Sequence, residues 1–165
     1  MSDFKTRLET FLHKNNQTAQ IARLTPDAST REYFRIKWEE KSAIACVYPF
    51  DELGQIQFDS CIDVTEVFLS ANLPAAKIFV SDFENKIIVH EDFGDTILRN
   101  VLANSENKDT LLNEAITLIA EIQSATPKAF ELNSISSKLK FDAEKLNWEL
   151  QFFKTHYFET LKNSP

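Results

Sequence analysis

Residues able to do chemistry are few in this chain, and they gather in two short segments. The first, Ala28-Ser29-Thr30-Arg31, sets two hydroxyls beside a guanidinium. Hydroxyl donors and an arginine suit an anion such as phosphate, because each offers a hydrogen bond to oxygen and the arginine adds charge. The small side chains of Ala28, Ser29 and Thr30 let backbone come close to a ligand. The other reading is an exposed turn with a solvated arginine, where Ser and Thr serve turn geometry alone. The second segment, Glu91-Asp92-Phe93-Gly94-Asp95, follows an apolar run and precedes a helical pattern. It reads as a strand-to-helix turn in which Asp95 caps the next helix.

Other chemistries are excluded by what the chain lacks. Its only glycines are Gly54 and Gly94, and G-x-G-x-x-G, the Walker A loop and G-x-S-x-G each need several close together. Cys46 and Cys61 form no C-x-x-C and no zinc pattern, so two reduced thiols are expected. His13 and His156 have no partners of catalytic type nearby in sequence. With 18 Lys and Arg against 25 Asp and Glu, the net charge is −7. That balance speaks against a nucleic-acid partner, which needs clustered cations. Residues Met1 to Asn15 are charged and amphipathic, unlike a signal peptide, and no apolar run approaches the roughly 20 residues of a membrane span. No membrane partner and a cytoplasmic location are expected.

The elements that must position these segments follow from periodicity. Phe4, Leu8, Phe11 and Leu12 mark a helix over Asp3 to Lys14. Ile21 and Leu24 lie in a short run, and Phe34, Ile36 and Trp38 alternate with Arg35 and Lys37 as in a strand with one buried face. Ala43 to Tyr48 reads as a central strand after the charged turn Glu39-Glu40-Lys41, giving an antiparallel meander. Ile56 to Leu69 returns to helical spacing, with Ile56, Ile62, Phe68 and Leu69 prominent, and Asn72 and Pro74 stop it. Lys77 to Val80 and Lys86 to His90 read as a hairpin. Beyond Gly94 the pattern is helical: Thr96 to Leu102, Asp109 to Ser124, a polar connector over residues 126 to 140, and a long helix from Phe141 to Leu161. Fourteen Phe against one Met suggest a core built largely on Phe. The fold class is therefore α+β: a five-stranded antiparallel sheet with helices in residues 1–92, then helices in 93–165.

Three segments together resemble a known family. Leu24-Thr25-Pro26-Asp27-Ala28-Ser29-Thr30-Arg31-Glu32-Tyr33-Phe34-Arg35 resembles G-D-A-S-x-R-x-Y-x-R. Ile87-Ile88-Val89-His90-Glu91-Asp92-Phe93-Gly94-Asp95 resembles L-L-E-D-L-G-D. Phe141-Asp142 with Leu146, Glu149, Leu150 and Phe153 resembles Y-D-x-x-x-L-x-x-E-L-x-x-F. These are the patterns of the aminoglycoside-phosphotransferase-like kinases, and the nearest likeness is to the anomeric kinases of N-acetylmuramate and N-acetylglucosamine. The resemblance spans nearly the whole chain and implies a protein-kinase-like N-lobe followed by the first helices of an incomplete helical C-lobe.

The resemblance also assigns roles. It implies ATP as cofactor, with Ala28, Ser29, Thr30 and Arg31 over the phosphates and Glu91, Asp92 and Phe93 in a linker that holds the adenine. Glu66 would be the family's inward acidic residue on the helix, although a solvated carboxylate is the commoner case. The lysine of V-A-I-K is absent from Ala43 to Tyr48. Asp92-Phe93-Gly94 spells the metal-binding D-F-G of protein kinases, but motif order argues coincidence: no catalytic loop precedes it, and the H-x-D-x-x-x-x-N register would need Asn where Ile97 stands. In the family the catalytic Asp and the Asn and Asp that hold Mg²⁺ lie beyond the segment reached at Pro165. The expectation is thus the N-terminal portion of an ATP-dependent sugar kinase of cell-wall recycling, inactive alone, with no catalytic or metal residues of its own. A nucleotide and an amino-sugar acceptor are its expected partners. The alternatives are a kinase of another hydroxyl acceptor, such as an aminoglycoside, choline or amino acid, and a non-catalytic nucleotide-binding module.

Overall fold

A computed structural model describes residues 4–25, 30–104, 106–140 and 142–162. The chain opens with α1 (Phe4–Lys14), followed by β1 (Ile21–Arg23), β2 (Glu32–Trp38) and β3 (Lys41–Val47). Then come α2 (Glu52–Ser70), β4 (Ile78–Asp82) and β5 (Ile87–Glu91). The strands form one antiparallel sheet in the order β1-β2-β3-β5-β4. The fold is α+β, as the periodicity indicated.

Strand alternation gives the sheet two different faces. Phe34 and Ile36 of β2, Ala43, Ala45 and Val47 of β3, and Ile87 and Val89 of β5 turn to one side, where Leu8, Phe11 and Leu12 of α1 cover them. Cys46, Tyr48 and Ile88 turn to the other, where Phe58 of α2 packs with Cys61, Ile62, Tyr33 and Ile78. Burial of these apolar groups is the main stabilising term. The core rests less on Phe than composition suggested. Phe11, Phe34 and Phe58 are deeply buried, while Phe50, Phe79, Phe83, Phe93, Phe130, Phe152, Phe153 and Phe158 are exposed.

Helix α2 begins four residues before Ile56. Asp51 caps it, accepting a hydrogen bond from the Gly54 amide at 2.7 Å. Its buried positions are Gly54, Phe58 and Val67. Ile56 and Leu69, prominent in the sequence pattern, point outward. The reason is Gly54: a Cβ there would lie 2.2 Å from the Pro49 carbonyl oxygen, so the helix rests its glycine on the chain that leaves β3. A Schellman motif ends α2 at Asn72, whose φ is 57°, with Asn72 N–H bonded to Leu69 O and Leu73 N–H to Phe68 O.

The described elements that follow are helical: α3 (Leu98–Asn104), α4 (Lys108–Ser124), α5 (Thr126–Glu131), a 3-10 turn (Ile135–Lys138) and α6 (Ala143–Phe153), which continues as a π-helical stretch (Lys154–Leu161). The expected connector over 126 to 140 is thus a short helix and a 3-10 turn. Pro127 sits in the first turn of α5, where its missing N–H costs nothing. This helical region docks on α2 through Asp63. Its carboxylate accepts hydrogen bonds from the buried Ser134 hydroxyl and from the Ile135 amide at 3.0 Å. Beyond that contact, α4, α6 and the π-helical stretch leave Ile116, Ile119, Leu150, Phe153 and Leu161 exposed.

Two stability outcomes follow from local geometry. Gly54→Ala should cost about 1–3 kcal/mol, because backbone must move to admit the methyl group; urea denaturation reads it. The β2–β3 turn holds Glu39 and Glu40 at φ of 48° and 64°, a conformation that costs about 1–2 kcal/mol for each L-residue with an ordinary side chain. Glu39→Asn with Glu40→Gly should raise stability by about 1–2 kcal/mol, and an unchanged melting temperature would refute that account of the turn.

Candidate functional site

Strand β2 carries the candidate site. Its odd-numbered residues Tyr33 and Arg35 face α2's side of the sheet, opposite the α1 core, and Arg31 continues that line at the end of the β1–β2 hairpin. Ala28 and Ser29 lie outside the described residues, so the site is built here from Thr30 and Arg31. Thr30 is exposed, and its hydroxyl donates to Gln57 Oε1 of α2 at 3.4 Å. Arg31 is half-buried, with its guanidinium carbon 5.6 Å from the Tyr33 ring centre and 5.7 Å from that of Tyr48. It is therefore held against the sheet rather than freely solvated. Burial opposes its charge, but Tyr33, Tyr48 and Cys46 together more than offset this and raise its pKa.

His90 of β5 belongs to the same face. It pairs with Ile44 of β3, which pairs with Arg35 of β2. Burial pushes the imidazole pKa down, and the Arg31 charge pushes it further. Cys46 and Tyr48 complete the floor; burial drives the Cys46 thiol up to about 12 and the Tyr48 phenol upward. These are poor nucleophiles at neutral pH.

At the other end of the face, Arg35 meets the segment after β5. Its Nε and Nη2 donate to the two oxygens of Asp92 at 2.7 and 3.2 Å. Its Nη1 and Nη2 donate to those of Asp95 at 3.0 and 2.9 Å. Asp92 also accepts from the Ser42 hydroxyl and from the Gly94 amide at 2.9 Å. These donors, Arg35 first and Ser42 next, hold the Asp92 carboxyl down at about 2. Asp95 does not cap α3, which starts three residues later; its carboxylate is spent on Arg35.

The remaining expected residues separate. Glu91 is tied to the sheet edge: its N–H donates to Lys77 O at 2.9 Å and its carboxylate accepts from Lys77 N–H at 3.3 Å. Phe93 is exposed. Glu66 lies on the exposed side of α2, while the α2 carboxylate that turns inward is Asp63. Among the described residues no group of three His, Cys, Asp or Glu side chains could hold a metal ion, so no metal step is assigned here. No helix among them is long and apolar enough to cross a membrane.

Sequence reasoning passed over Arg35, Ser42 and Tyr48. Arg35 was visible as the polar partner in an alternating strand, and its spacing of two and four from Tyr33 and Arg31 was the signal that all three share a face. No family model matches this sequence, and no curated protein matches it.

The ion pair fixes an acid response. Asp92's folded pKa lies below the ordinary carboxylate value of 3.8, so its contribution is full above that value and is lost as pH falls from about 4 to about 2. Asp92→Asn should cost about 1–2 kcal/mol at pH 7, after solvent screening. The variant and the unaltered chain should converge as pH falls below about 2. Denaturation curves carried down to about pH 1 check it; a gap that persists there would assign the loss to packing instead.

Proposed function

We propose that this chain is the nucleotide-holding portion of an ATP-dependent small-molecule phosphotransferase of protein-kinase-like fold. The carrying observation is that Arg31, at the hairpin end, and Asp92, in the segment after β5, lie along one face of the sheet and are joined through β2. Arg31 and Thr30 receive the phosphates. The segment 91–93 receives the base, with Phe93 beside it. Several things support this reading. The antiparallel sheet with one helix between its third and fourth strands is the arrangement that the resemblance implies for an N-lobe. Arg31 is held near two tyrosine rings, as suits a preorganised anion contact. The segment after β5 is exposed at Phe93, leaving that stretch open to a purine.

The acceptor rests on the resemblance of residues 24–35 and 87–95 alone, and the amino-sugar hydroxyl of N-acetylmuramate or N-acetylglucosamine is the proposed one. The chemistry itself requires a group to orient that hydroxyl and acidic groups to hold Mg²⁺. The sequence carries no H-x-D-x-x-x-x-N, so these 165 residues are proposed to bind nucleotide without turning it over. Both cysteines are free thiols, in keeping with a cytoplasmic setting.

Isothermal titration with ATP tests the reading. The chain should bind ATP, and Arg31→Gln should weaken that binding about tenfold or more, as loss of a charge-assisted contact requires. No measurable ATP binding, or equal binding by the two forms, would overturn it. Sugar-dependent ADP release by this chain would overturn the prediction of inactivity.

A further inference from the structure

We infer that Arg35 is a positioning residue for the nucleotide base: through Asp92 and Asp95 it sets the backbone of residues 92–94 against the sheet. This rests on the nucleotide-binding reading above and adds a residue that acts on the base without touching the phosphates.

The geometry is one of convergence. Three guanidinium nitrogens of Arg35 make four hydrogen bonds to two carboxylates, all between 2.7 and 3.2 Å. The Asp92 carboxylate in turn gathers donors from three places in the chain: Arg35 on β2, Ser42 on β3, and the Gly94 amide two residues onward. A side chain on a connecting segment is usually solvated, yet that of Asp92 is only 6% exposed. The last bond folds the segment back on itself, and Gly94 adopts a φ of 77°, open to glycine at no steric cost. Side-chain groups thus fix the path of residues 92–94, while Phe93 stays exposed. A segment built this way presents donors and acceptors at fixed positions, which lowers the ordering cost of binding a flat, edge-reading ligand such as a purine. Arg35 shares its strand and face with Arg31, so the same strand sets the spacing between the phosphate contact and the base contact.

A bland alternative exists: the fork closes the sheet and adds stability only. The two are separated by comparing ATP with inorganic tripolyphosphate, which has the phosphates and no base. For the full chain, ATP should bind more tightly than tripolyphosphate. Arg35→Gln should weaken ATP binding about three- to tenfold, the scale of un-ordering one contact group, and leave tripolyphosphate affinity unchanged. Hydrogen exchange at the Gly94 amide should quicken in the same variant. If Arg35→Gln does not fold, Asp95→Asn serves, since that carboxylate is 82% exposed; the same split is expected, smaller in size. Equal weakening of both ligands, or no change in either, would overturn the positioning role while the binding function stands. Should the unaltered chain bind neither ligand, the function itself falls, and the positioning role with it.

Discussion

The fork between Arg35 and the paired carboxylates of Asp92 and Asp95 is the constraint on which the rest of this structure turns. Everything that precedes β5 is a sheet whose strands run past one another, with α1 and α2 laid on its two faces. The described elements that follow Asp95 are all helices. Between them lie residues 92–95, of which only Phe93 carries a large apolar side chain, and that side chain is exposed. Such a junction would ordinarily be free to swing. Here a charged group two strands away reaches it, and the carboxylate it meets is shielded enough that the pair is worth more than an open surface bridge. The Asp63 carboxylate of α2 has a similar role on the helix side, where it meets Ser134 and Ile135 and seats the helical region.

Placement of function follows from the two faces of the sheet. The α1 face is sealed by aliphatic side chains and by the stacked rings of Phe11 and Trp38 at 5.7 Å. The opposite face carries mixed chemistry: a cation held on tyrosine rings, an imidazole held below its usual pKa, and the Arg35 fork. This second face combines fixed charge with an exposed aromatic ring, Phe93, at its border. An anionic ligand with a flat polar end matches that combination better than a purely apolar or a metal ligand would.

Much of this fold was legible in the sequence. The alternation of Phe34, Ile36 and Trp38 marked β2 and its buried side, and Asn72 with Pro74 marked the end of α2. Helix α2 itself was placed by its spacing, but its buried stripe was not. Spacing favoured Ile56 and Leu69, whereas contact between Gly54 and Pro49 rotated the helix to bury Phe58. Phe-rich composition likewise misled, since it says nothing of where each ring goes. The site was legible in its ends and not in its middle. Arg31 and the segment after β5 stood out as residue types. Nothing local told that Arg35 would reach across β3 to Asp92, because the partners lie 57 positions apart and only the strand order brings them together. Asp95 looked like a helix cap for the same reason: its real partner is distant in sequence.

The central claim is that one face of the sheet, from the hairpin end to the segment after β5, receives a nucleotide. Its most direct test is a map of backbone amide shifts in the isotope-labelled chain as ATP is added. The account expects saturable changes at Thr30, Arg31, His90 and residues 92–94, with the amides of α1 undisturbed. Changes centred on α1 or on α6, or none at any ATP concentration, would contradict it.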